Sequence, residues 1–258
     1  NWPLFYLAGG DRRFLDASHA EFDAINRQFA QYPTGKGYPM CVDEYQPAYD
    51  WFHQGEGNLF FYLLTIADPR HPATRDRVHR FASYFTGDDP RAPNYDTNLR
   101  VMRCPHVGSV GPAFWNFTRH DNFPAAGWGL PFHDIAGVRE VADLDDPEKL
   151  ARARTVTAER RGRGDTPVNL AATSLPTLAF ALGGDDGLKR WTQQYLEAWI
   201  DRTDANGAII PDNVGVDGVI GSHTGGRWYG GNYGWTHPHG WHSLGPAVIT
   251  AAQNATLL

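Results

Sequence analysis

Cysteine is nearly missing from this 258-residue chain: Cys41 and Cys104 are the only two. Two cysteines cannot make a disulfide framework, so a single bridge or two free thiols remain open. No apolar run reaches the roughly 20 residues that a membrane span needs, and no signal-peptide pattern opens the chain. Basic residues are outnumbered, 23 Lys and Arg against 29 Asp and Glu, for a net charge of -6. No Lys/Arg cluster is interleaved with aromatics, which removes nucleic acid from the expected partners. The most basic stretch, Arg152 to Arg163, reads as the solvent face of a helix. The Gly pairs starting at 225 and 230 lack a following Gly-Lys-Ser/Thr, so they are no phosphate loop.

What is present is an apolar share of 41%, enough for one substantial core and one domain over residues 1–258. Aromatic residues make up 13%, with nine Trp. Exposed Trp and Tyr stack on sugar rings, and in an acidic chain they point to a polysaccharide or oligosaccharide partner. The sequence begins at Asn1 and stops within an apolar helical pattern at Leu258. It reads as a processed product or a part of a longer chain, and processing would favour a secreted or periplasmic location.

Apolar runs alternate with amphipathic helices. Leu4 to Ala8 is closed by Gly9-Gly10, and Asp11 then caps a predicted helix from Arg12 to Gln31 with Phe22, Ile25 and Phe29 on one stripe. Leu59 to Ala67 is followed by a helix carrying Val78, Phe81, Ala82 and Phe85. Leu178 to Leu182, closed by Gly183-Gly184-Asp185, precedes a helix carrying Leu188, Trp191, Tyr195 and Trp199; Ala247 to Leu258 is the last apolar run. A helix that is apolar all round is expected to be buried, with the amphipathic one covering it. Repetition of that pair predicts a mainly α fold, an α/α toroid built as an incomplete ring of inner and outer hairpins. Asp145-Asp146-Pro147 caps one more helix, to about Arg161. Short strands are expected at Gly207 to Pro211 and Gly218 to Ile220, and Arg103 to Asp146 reads as a long loop.

Polar clusters precede the inner helices. Asp50, Trp51, His53 and Glu56 stand before one, Thr166-Pro167-Val168-Asn169 opens another, and the loop Asp217 to His242 leads into the last. Inner helices of a ring run parallel, so these loops are expected to meet at one mouth, where the helix amino ends favour an anionic ligand. Asp217 to His242 is crowded with His, Gly, Trp and Tyr and has almost no aliphatic residue; long structureless loops of this kind are usually functional.

Three pieces of the chain resemble motifs of the hyaluronate, chondroitin and xanthan lyases, whose catalytic module is an α/α toroid. Thr166-Pro167-Val168-Asn169-Leu170 resembles their Thr-x-x-Asn-Leu element. Asp217-Gly218 to His223-Thr224 resembles their Asp-Gly and His-Thr pairs, and Tyr229-Gly230-Gly231-Asn232-Tyr233-Gly234 resembles their Tyr-x-Gly-x-Tyr-Gly, all in the same order. The resemblance is local and covers about a tenth of the chain. It implies β-elimination at a uronic acid without a cofactor or metal. In that reading Asn169 and His223 donate hydrogen bonds to the uronate carboxylate, Tyr233 moves the proton, and Arg227 is a nearby positive charge.

Two other readings stand beside it. A hydrolase on the same ring would use paired carboxylates, Asp50 or Glu56 as acid and Asp212 as base. A non-catalytic sugar-binding ring would keep Trp51, Trp228 and Trp235 as stacking platforms. His237-x-His239-x-x-His242 carries ligand-type residues, but no third arm for a tight zinc site is evident, and sugar contact or loop scaffolding suits His237 and His239 better.

Overall fold

The computed structural model describes residues 2–29, 51–114, 135–237 and 239–258, with residues 29 and 51–58 described by backbone alone. The protein is mainly α. Among the described residues its helices are α1 (Trp2–Leu7), α2 (Arg12–Phe29), α3 (Trp51–Ala67), α4 (Pro72–Thr86), α5 (Pro147–Gly162), α6 (Ser174–Gly183), α7 (Asp186–Ala205) and α8 (Gly240–Thr256). Two 3-10 segments, Val141–Asp145 and Pro167–Thr173, precede α5 and α6.

Local chemistry sets most of the boundaries. Asp11 accepts from the Arg13 N–H at 2.8 Å at the start of α2, and Asp146 accepts from Glu148 and Lys149 ahead of Pro147 at the start of α5. Gly184 (φ +72°) ends α6 in the left-handed conformation, and the next residue, Asp185, caps α7 through the Gly187 N–H.

The helices pack as two layers. In one layer α1 meets α3, α3 meets the 167–173 segment, and α6 meets α8. Over them lie the amphipathic helices: α2 against α1 and α3, α4 against α6, and α7 against α6 and α8. Val78, Phe81, Ala82 and Phe85 of α4 are fully buried, as are Leu175 and Ala179 of α6, and Leu188, Trp191, Tyr195 and Trp199 of α7 face the same core. Leu64 and Phe61 join it from α3.

Four expectations are corrected. The apolar helices are not buried all round: Leu4, Phe5 and Leu7 of α1, Leu59 and Ile66 of α3, and Ile249 of α8 are exposed, because each helix is packed on one side only among the described residues. The Arg152 to Arg163 stretch is not simply a solvent face, since the last turn of α5 drives Arg160 and Arg161 into the interior. Residues 207–211 form no strand, and near 218–220 only Ile220 bridges Val214, which in turn bridges Asp165. The two-stranded hairpin lies instead at Tyr95–Asp96 and Val101–Met102, inside a region where no strand is predicted. Finally, α8 starts at Gly240 rather than after His242, because the Gly240 and His242 N–H groups find the carbonyls of His237 and His239 at 2.8 Å each.

Candidate functional site

A fully buried carboxylate, Asp212, shapes the His- and aromatic-rich loop. Its Oδ1 accepts from Gly231 N–H at 2.8 Å, and its Oδ2 accepts from Gly230 N–H at 3.0 Å and Trp235 N–H at 2.8 Å. The chain therefore wraps once around one side chain. Gly234 is needed there, since a Cβ would stand 2.1 Å from Asp212 Oδ2. Burial raises Asp212 above the ordinary carboxylate range, while the N–H groups of Gly231, Gly230 and Trp235 and the charge of Arg161 pull it back.

That wrap puts Tyr233 in a left-handed conformation, φ +52°, uncommon for any residue but Gly, Asn or Asp. Its ring packs against His237 at 4.6 Å and His239 at 6.2 Å between centroids, and the two imidazoles lie 5.4 Å apart. His237 Nδ1 accepts from the His239 N–H at 3.1 Å, which assigns the ring proton to Nε2. Burial, with the charge of Arg161 and then His239, drives His237 down to about 3, so it is neutral at ordinary pH. Burial, then neighbouring Arg160, lowers Arg161 to about 9, and Asp212, with Tyr233 after it, opposes that fall. The structure thus joins Tyr233, His237, His239 and Arg161 in one electrostatic unit at the amino end of α8.

The tryptophans form a neighbouring group. Trp228 meets Trp235 edge-on at 6.4 Å, and Trp235 lies nearly parallel to Trp241 at 5.9 Å. Arg227 sits over the Tyr229 ring at 5.9 Å, beside this group rather than beside Tyr233 among the contacts described.

Asn169 and His223 belong elsewhere. Asn169 is fully buried, and its Nδ2 donates to Cys104 O at 3.2 Å and Asp165 Oδ1 at 3.0 Å. Both amide hydrogens are engaged within the fold, leaving none for a uronate carboxylate. The network continues through Asp165, which also accepts from Met102 N–H at 2.9 Å and from the Tyr195 hydroxyl at 3.0 Å. It ties the β hairpin, the 3-10 entry to α6 and α7 together. Burial raises Asp165 to about 6, against the pull of Arg202 and of these three donors. His223 is held by Glu159 of α5, Nδ1 to Oε1 at 2.8 Å, and its Nε2 accepts from Val216 N–H at 3.4 Å. Asp212 as a hydrolytic base is likewise corrected: it is 0% exposed and its oxygens point at backbone donors. Asp50 lies outside the described residues, and so do the side chains of Trp51, His53 and Glu56.

Glu159, Arg161 and Trp241 are the residues of these groups that sequence reasoning missed. For Trp241 a signal existed in Gly245, four residues on, which leaves room for an indole on the helix. For Arg161 none existed beyond the length of α5. Among the described residues no group of three or more His, Cys, Asp or Glu side chains is arranged to hold a metal ion, and no helix is long and apolar enough to cross a membrane.

A mainly α protein with one carboxylate-wrapped aromatic and histidine loop is the class that fold and site define. The chain matches, over residues 1–258, the family model described as a domain of unknown function (DUF8034), and it belongs to that family. No curated protein and no solved structure matches it.

Proposed function

We propose that the protein is a carbohydrate-active enzyme that cleaves a uronate-containing polysaccharide by β-elimination, and that its two helical layers are an arc of an α/α toroid. The observation that carries the reading is the Tyr233 cluster: a tyrosine in a left-handed backbone, flanked by His237 and His239 and backed by the buried charge of Arg161. Such backbone strain concentrates at sites where a side chain must be aimed.

The chemistry follows from those groups. In this reading Tyr233, buried beside His237 and His239, is the proton acceptor. Tyr233 takes the proton from C5 of the uronate, the electron pair forms the C4=C5 double bond, and the C4–O bond breaks. The phenol then returns the proton to the leaving oxygen. No water is consumed. Negative charge developing on the uronate carboxylate is stabilised by the positive end of the α8 dipole and by His239 at the first turn, in place of Asn169, whose donors are engaged.

A second reading, non-catalytic sugar binding, is favoured by the partly exposed Trp235 and Trp241, which need no reacting group to hold a sugar ring. Hydrolysis through Asp212 is disfavoured by its burial. The test is a panel of acidic polysaccharides followed by ultraviolet absorbance of the conjugated double bond. Elimination predicts rising absorbance, and Tyr233→Phe lowers turnover roughly 10²–10⁴-fold while binding persists. Cleavage without that absorbance, or full activity in Tyr233→Phe, refutes the assignment.

A further inference from the structure

Trp241 is the most exposed tryptophan among the described residues, at 62%, although it stands in the first turn of a packed helix. Its indole lies along α8 over Gly245, where an added Cβ would stand 3.0 Å from Cε2 and 3.2 Å from Cζ2. Glycine at that position lets the ring lie flat on the helix. On its other flank Trp235, 38% exposed, is inclined by only 23° at 5.9 Å. Trp235 is held at both ends: its indole Nε1–H donates to Ile210 O at 2.9 Å, and its backbone N–H donates to Asp212. The polar edge of that ring is thus turned inward, and what it offers to solvent is an apolar aromatic surface.

We infer that Trp235 and Trp241 form a stacking subsite for a pyranose ring of the same chain that reacts at Tyr233. This rests on the carbohydrate reading of the loop and adds where a second sugar unit is gripped. Trp235 comes two residues after Tyr233 and Trp241 two residues after His239, so the platform borders the reacting cluster along the backbone. The chemistry of the face selects the ligand. Its exposed aromatic surface, with the Trp235 ring fixed by bonds to Ile210 and Asp212, matches a sugar ring with apolar C–H faces. A protein partner would call instead for a broader apolar patch.

The subsite is tested by calorimetric titration of the full chain with oligogalacturonate, oligoglucuronate, cello-oligosaccharide and xylo-oligosaccharide. The expected result is binding of at least one probe. Trp241→Ala should weaken it by about tenfold, and Trp241→Tyr should restore most of the loss. Trp2→Ala, which removes an exposed indole on α1, should leave affinity unchanged. Equal affinity in Trp241→Ala and the parent overturns the subsite. So does the absence of any binding, or a dimer in sedimentation that Trp241→Ala converts to monomer, since the platform would then be covered by a second copy. Trp241-dependent binding with no unsaturated product would sink elimination and keep the subsite. Unsaturated product with an unchanged KM in Trp241→Ala would do the reverse.

Discussion

Replacing Asp165 by Asn should change how stability depends on pH, in a direction the structure fixes. The carboxyl is fully buried among Met102 N–H, Asn169 Nδ2 and the Tyr195 hydroxyl, and burial raises it from 3.8 to about 6. A raised carboxyl holds its proton more tightly in the folded chain than in the unfolded one. Its contribution to stability is therefore complete below about pH 4 and is lost as pH rises through 6. The displacement corresponds to about 3 kcal/mol. Asn is neutral throughout, so it removes this slope. It also turns an NH₂ toward one of the former donors, at a pH-independent cost of about 1–3 kcal/mol. Urea unfolding followed by tryptophan emission at pH 4, 5, 6 and 7 separates the two effects. The stability difference between variant and parent should move by about 2 kcal/mol in favour of the variant between pH 4 and pH 7. Other titrating groups, His237 included, are common to both proteins and cancel. An equal difference at pH 4 and pH 7 would refute the assignment of Asp165 as the strained carboxyl of the core.

Asp212→Ala strips three backbone N–H groups of their acceptor and should destabilise by at least about 3 kcal/mol. The loss should appear in the unfolding midpoint and as new proteolytic cleavage between residues 228 and 237. Glu159→Gln keeps a hydrogen-bond acceptor for His223 Nδ1 but removes the carboxylate charge; Glu159 is half exposed, so the stability should shift by less than about 1 kcal/mol. A large shift there would mean that the His223 contact supports the fold.

Helix positions were largely legible because each has a local cause. Asp11, Asp146, Pro147 and Gly184 act on their immediate neighbours, and the stripe Val78, Phe81, Ala82 and Phe85 needs only a helical repeat. The irregular backbone of the 217–242 loop was legible from its composition, but Tyr233 was expected beside Asn169 and His223 and packs instead against His237 and His239. What could not be read depended on contacts distant in sequence. Asn169 looked like a donor waiting for a ligand, whereas its amide is engaged by Cys104 O, 65 positions away, and by the buried Asp165. Asp212 looked like an open turn residue, yet the N–H groups that enclose it come 18 to 23 positions later. Arg160 and Arg161 carry the same charge as their exposed neighbours on α5, and their burial follows from the docking of that helix's last turn.

The wrap around Asp212 has a mutational corollary. Its shape is written in main-chain amides and in two glycines, Gly231 and Gly234, whose missing side chains let the strand close on the carboxylate. Of the side chains on the turn, Trp235 is exposed and Tyr229 half-buried, whereas Tyr233 is buried in the core. Because the turn is held by main-chain amides, substitutions at exposed Trp235 and half-buried Tyr229 should leave its form intact, while Tyr233 stays bound to the core by its packing.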